Sequence, residues 1–177
     1  MHVFRGLPSP LQRRPSAVAI GNFDGVHLGH QALLEYVKEA AQARGLVPSV
    51  VTFEPHPKDF FGRGGEVARI STLYDKVNAI LETGIERIYI LPFNARLAGM
   101  PAETFVRDVL LEGLGACWIS VGRDFRFGGD RAGNVDLLEQ LSRTLPYELY
   151  VSPTFYHKDA RCLLYTSPSP RDPKTSR

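Results

Sequence analysis

Two histidines, His27 and His30, stand three residues apart in a stretch where glycine recurs at 21, 25 and 29. Before them, Ala17 to Ile20 is a short apolar run of the kind that forms a buried strand. After them, Leu33, Tyr36, Val37 and Ala40 follow the i, i+3, i+4, i+7 spacing of one face of an amphipathic helix. The pattern predicts a strand, a glycine-rich turn and a helix, with both imidazoles where turn becomes helix. That arrangement suits phosphate. Glycine lets the backbone come close to a ligand, and the first turn of a helix presents unpaired N–H groups at the positive end of its dipole. Imidazoles at this spacing share a face of the turn and can donate to phosphate oxygens, more strongly when protonated. The spacing is not G-x-G-x-x-G, and it is not a P-loop, because no Gly-Lys-Ser/Thr follows. A zinc site built from His27, His30 and His56 is the weaker reading, since the glutamate of His-Glu-x-x-His is missing.

Two further stretches carry groups suited to a flat or charged ligand. The first runs from Glu54 through Pro55, His56 and Pro57 to Phe60, Phe61, Gly62, Gly64 and Gly65. Its prolines stop regular structure, and two adjacent phenylalanines are unusual in a loop, which is ordinarily polar. The second runs from Gly122 to Gly133 and holds Asp124, Phe125, Phe127 and Gly128. Phe125 and Phe127 read equally well as a platform for a flat ring and as packing residues, Phe125 in the core and Phe127 only steadying the loop. Asp124 can hydrogen-bond a nucleotide or the backbone.

The elements that must position these groups alternate. Val47 to Phe53 reads as a second strand, Ile85 to Leu91 as a third, Cys117 to Val121 as a fourth and Tyr147 to Val151 as a fifth; Val3–Phe4 is a candidate short strand in an otherwise irregular arm. Helices fall between them. One has Leu73, Val77, Ile80 and Leu81 inward behind a Thr72 cap, with Lys76 read as a solvated residue. Another is opened by Pro101, with Phe105, Val106, Val109 and Leu110 inward. A third is capped by Asn134, with Val135, Leu137, Leu138 and Leu141 inward. Phe93 to Met100 reads as loop. Strand–helix–strand repetition predicts an α/β fold, a parallel sheet of about five strands with helices on both faces. Ligands of such sheets sit at the carboxyl ends of the strands, where all three loops leave.

Gly21-x-Phe23-Asp24-Gly25-Val26-His27-x-Gly29-His30 resembles the signature of bacterial FAD synthetases, and within it His-x-Gly-His resembles the element of the wider nucleotidyltransferase superfamily. Phe-x-Pro-His-Pro at 53–57, Leu73-x-x-Lys76, Phe93-Asn94-x-x-Leu97 and Gly122-x-Asp124-Phe125-x-Phe127-Gly128 are similar to segments of the same family. The resemblance covers about residues 15–161 and implies a Rossmann-like fold. It implies transfer of AMP from ATP to FMN, giving FAD and pyrophosphate, with magnesium accompanying ATP. By the same resemblance His27 and His30 are catalytic; Gly21, Asn22, Phe23, Asp24, Gly25, Gly29 and Asp124 contact ATP; and Pro55, His56, Pro57, Phe60, Phe61, Phe125, Phe127 and Gly128 receive the flavin. No dedicated metal ligands are assigned. Alternatives are a related nucleotidyltransferase with another phosphate-ester acceptor, and a non-catalytic nucleotide- or flavin-binding domain.

Composition bounds the rest. The chain has 177 residues, 44% hydrophobic and 23% charged, with net charge +2, which fits one domain and is too mild a charge to argue for a nucleic-acid or membrane partner; the resemblance implies small-molecule substrates. Two cysteines, Cys117 and Cys162, make no framework and suit a reducing cytoplasm. After Arg161 the family's Arg-Val/Ile-Ser-Ser-Thr-x-x-Arg segment is replaced by Cys162 to Asp172, which resembles a translated library adapter. The expectation is an incomplete adenylyltransferase domain at 1–161, a non-native or disordered tail at 162–177, and no riboflavin kinase domain.

Overall fold

The computed structural model describes residues 2–23, 28–54 and 73–152. Strand β1 (His2–Arg5) precedes β2 (Ser16–Ile20), helix α1 (Leu28–Arg44) and β3 (Val47–Glu54). Helix α2 (Leu73–Glu82), β4 (Arg87–Pro92) and the single-turn helix α3 (Ala95–Ala98) follow. Helix α4 (Ala102–Thr104) runs directly into a π-helix (Phe105–Gly113), then come β5 (Ala116–Gly122), a 3₁₀ turn (Gly129–Arg131), helix α5 (Val135–Ser142) and β6 (Glu148–Ser152).

The strands form one sheet in the order β1-β4-β3-β2-β5-β6, and every pairing is parallel. The expected five strands are all present. The sixth is the Val3–Phe4 arm, which pairs along the outer side of β4 in the register Val3↔Ile88 and Phe4↔Tyr89. Arg87 secures that arm: its Nη1 donates to Gln12 O at 2.7 Å and to Tyr89 Oη at 3.0 Å, and its guanidinium lies over the Phe4 ring at 5.1 Å.

Both faces of the sheet are covered, which is why β2 is buried at every position. On one face Leu34, Val37 and Ala41 of α1 and Ile80 of α2 pack on Ala17, Ala19, Val50, Ile88, Ile90 and Trp118. On the other, Phe105, Val106, Val109 and Leu110 of the π-helix and Leu138 and Leu141 of α5 pack on Val18, Ile20, Val51, Phe53, Ile119 and Val121. From β2 the chain winds outward through β3 to β4, then returns to β5 on the other side of β2. Right-handed crossovers require helices to change faces when the winding reverses, and the two groups of helices do so.

Three expectations need correction. The buried stripe of α1 is Leu34, Val37, Ala40 and Ala41; Val37 and Ala40 face the core as expected, but Tyr36 is 42% exposed and Leu33 only partly buried. Paired leucines at 33–34 and alanines at 40–41 satisfy either rotation of the helix, so spacing alone could not choose. The segment after Phe93 is not all loop. Asn94 Oδ1 accepts from Leu97 N at 3.0 Å and caps α3. Finally, Lys76 is not solvated, and its place bears on the site.

Candidate functional site

Because all strands are parallel, their carboxyl ends share one edge. The winding reverses between β2 and β5, the point where sheets of this kind open a crevice for ligand. These two strands are direct neighbours, with Ile20 paired to Val121. The two glycine-rich turns therefore leave the sheet side by side.

The first turn is clamped from below. Gly21 N donates to Val51 O at 3.1 Å. Asn22 O accepts two bonds, from Thr52 Oγ1 at 3.1 Å and from Lys76 Nζ at 2.8 Å. Phe23 then takes φ +54, a left-handed conformation rarely held by a residue with a large side chain. Burial of its ring, which is 3% exposed, holds it there. That ring leaves little room at position 21, where a Cβ would lie 3.2 Å from Phe23 Cε2. The Phe23 ring meets the His30 ring at 5.0 Å and 60°. His30 thus stands in the first turn of α1, braced by the turn that precedes it. Asn22 Oδ1 is buried and accepts no hydrogen bond from the described residues, an oxygen of the sort that a ligand donor satisfies.

Of the residues assigned to this half from the sequence, Gly21, Asn22, Phe23 and His30 come together, and Gly29 lies in the backbone of α1. Asp24, Gly25 and His27 lie outside the described residues, as do Pro55, His56, Pro57, Phe60 and Phe61. The strand that carries the latter group, β3, ends at Glu54 on the ligand edge beside β2.

The second turn is built on stacked rings. Phe127 exchanges backbone hydrogen bonds with Gly133, at 3.1 and 2.8 Å. Its ring lies so close over Gly133 that a Cβ there would approach to 2.6 Å. Phe125 stacks on it at 5.4 Å and 18°, and Phe105 tilts against it at 5.6 Å. Gly128 has φ +81, and a Cβ on it would come within 2.8 Å of Ala102 Cα. Gly129 N donates to Met100 O at 2.6 Å, pinning the turn against the start of α4. Phe127 is a core anchor, 7% exposed. Phe125 is partly exposed and Asp124 is exposed on the same turn.

Lys76 is the residue that sequence reasoning missed. It is 3% exposed in the middle of α2, with its ammonium on the Asn22 carbonyl. A signal was present. Positions 73, 76, 77 and 80 satisfy i, i+3, i+4, i+7, which puts Lys76 on the buried face. Residue type suggested a solvated position; the period pointed inward.

The family model described as FAD synthetase matches residues 9–163. A protein of Pseudomonas fluorescens named bifunctional riboflavin kinase/FMN adenylyltransferase is 42% identical over 140 residues, 78% of this chain and 45% of its own length. The Escherichia coli K12 protein of the same name is 34% identical over 158 residues, 88% of this chain and 50% of its own. The chain thus spans about half the length of the curated relatives it matches. A crystal structure titled macrolide-efflux protein, from Streptococcus pneumoniae, superposes with a TM-score of 0.71 at 24% identity, covering 89% of this chain and 53% of that one; this likeness speaks for the fold alone.

Proposed function

The chain belongs to the FAD synthetase family, and from that membership we propose that it transfers AMP from ATP to FMN, forming FAD and releasing pyrophosphate. One observation supports the reading: β2 and β5, paired at Ile20 and Val121, send the His30 turn and the Phe125 turn from the same edge of the sheet. A phosphate site and an aromatic platform are what an enzyme joining a nucleotide to a flavin phosphate needs close together.

An oxygen of the FMN phosphate attacks the α-phosphorus of ATP in line, and the bond from that phosphorus to the pyrophosphate oxygen breaks. Little covalent work falls to the protein; placement and offset of charge supply most of the rate. His30, at the N-terminus of α1, donates to phosphate oxygens together with His27. Gly21, Asn22, Phe23, Asp24, Gly25 and Gly29 form the phosphate cradle, and the unbonded Asn22 Oδ1 supports ligand contact there. Phe125 offers a face to the flavin, backed by Phe127, with Gly128 and the loop carrying Pro55, His56, Pro57, Phe60 and Phe61 completing that side. Asp124 reaches the nucleotide from the rim.

Magnesium would come in with ATP. There it would be ligated mostly by phosphate oxygens and water. No described helix is long and apolar enough to cross a membrane, and we place the reaction in the cytoplasm with small-molecule substrates alone.

The test is to incubate the purified chain with ATP, FMN and magnesium, following FAD by chromatography and pyrophosphate by a coupled assay. Equimolar FAD and pyrophosphate are expected. Tight binding of ATP and FMN without either product would reassign the chain as a binding domain.

A further inference from the structure

We propose that Lys76 is a positioning residue for adenylyl transfer: its ammonium locks the Asn22 carbonyl and thereby holds the Phe23–His30 pair where phosphate is bound. The proposal rests on the adenylyltransferase reading for its kinetic arm, though not for its spectroscopic one.

An ammonium in the middle of an apolar helix face is costly to bury unless its donors are used. Here α2 spends such a group on a main-chain oxygen two residues beyond the end of β2, at 2.8 Å. A helix whose only task was to cover the sheet would carry an apolar residue at this position, as it does one turn later at Ile80. The oxygen it holds belongs to the peptide that leads into Phe23. That residue needs holding, because its φ of +54 is unfavourable for a large side chain. Thr52 Oγ1 binds the same oxygen at 3.1 Å from β3. Two donors from two different elements therefore fix one carbonyl, and a charged donor makes the stronger bond. The consequence travels through contact. Phe23 is buried, its ring meets His30 edge-on, and His30 is the described imidazole at the mouth of α1.

Three substitutions and one probe decide the matter. Lys76→Met keeps the length and apolar stem while removing the charge and the bond. Thr52→Val removes the weaker donor at nearly the same volume. In each variant the His30 ring ¹H–¹³C signal is followed by NMR, assigned by its loss in His30→Ala, beside kcat and KM for ATP and for FMN and a thermal melt. The expected result is a shifted His30 signal and kcat/KM for ATP lower by roughly 10–100-fold in Lys76→Met, the scale for losing a charged hydrogen bond. Thr52→Val should show the same signature, smaller, and Lys76→Arg should recover part of it. KM for FMN should stay within about twofold, which a general loss of folded structure would not allow. An unmoved His30 signal in a folded Lys76→Met would overturn the proposal. If Lys76→Met does not fold, Thr52→Val decides: an unmoved His30 signal there also overturns it. A parent chain that makes no FAD would sink the adenylyltransferase reading while the His30 signal still judged the clamp.

Discussion

Phe23 and His30 meet ring edge to ring face, 5.0 Å between centroids, across the junction of the first glycine-rich turn and α1. The contact couples a buried hydrophobic residue to the imidazole that we assign to phosphate. Removing the imidazole should therefore affect chemistry far more than folding. His30→Ala is expected to lower FAD formation by roughly 10²–10³-fold, the scale for one preorganised electrostatic donor, with a melt near that of the parent. His27→Ala should match it. Near-normal FAD synthesis by both variants would refute their assignment.

The opposite balance is expected one ring away. Phe23→Ala removes a side chain that is 3% exposed and should cost about 3–5 kcal/mol by urea denaturation. Phe23→Leu keeps most of the apolar volume and should cost less, while still releasing His30. Its mark would be a larger loss in kcat/KM than its stability loss explains. A Phe23→Leu variant that is destabilised yet fully active would show that the ring only fills the core.

At the second turn the two phenylalanines should separate. Phe127 is buried between Phe105, Phe125 and Gly133, so Phe127→Ala should lose about 3–5 kcal/mol of stability. Phe125→Ala should lose less and should weaken FMN binding more than ATP binding, as read by flavin fluorescence titration. Equal weakening of both ligands would remove the specific aromatic role of Phe125.

Gly133→Ala tests the stack from beneath. The added methyl would lie 2.6 Å from the Phe127 ring, so the ring must leave its place. The expected cost is about 1–3 kcal/mol of overpacking strain, with FMN binding impaired along with it. A melt unchanged from the parent would mean that the stack yields freely and cannot set the shape of the loop.

An alkaline transition should report Tyr147. Burial pushes its phenol up to about 12, and its hydroxyl donates to Leu138 O at 2.6 Å. The unfolded chain would ionise near the ordinary value of about 10. The native state therefore holds the proton more tightly, so its contribution is complete below pH about 10 and is lost as pH rises toward about 12. Over that window the parent should lose on the order of 2 kcal/mol relative to Tyr147→Phe, measured by urea denaturation at matched pH. Parallel curves for the two proteins would contradict this.

The strand runs, the glycine stops and the helix cap at Asn134 were legible because each is a local rule: Asn134 Oδ1 does accept from Leu137 N, at 2.9 Å. The strand and the helix on either side of the Phe23-Asp24-Gly25 signature were legible for the same reason. What stayed hidden depends on distant partners. Lys76 is buried because a carbonyl 54 positions earlier receives it. Tyr36 is exposed because helix rotation is decided by the sheet beneath. The π-helical winding of Phe105–Gly113 left no trace in the apolar spacing, although Phe105, Val106, Val109 and Leu110 do face the core as expected. The equal readings of Phe127 could be separated only by seeing Gly133 under its ring.

The Ile20–Val121 pairing at the sheet centre has a kinetic side. Between those two residues the chain builds β3 and β4 and crosses the sheet, so the two halves of the crevice meet only after a long loop has closed. Closure of that kind delays the reward of contact until late and slows folding. A chain emerging from the ribosome can form β2, α1, β3 and β4, with His30 already standing on its helix, while the Phe125 turn is still unmade. On the proposed function, competence to join two substrates is in that sense a late event in the life of each molecule, arriving with β5. Partial opening that releases β5 and β6 would abolish it while leaving the first half of the sheet standing.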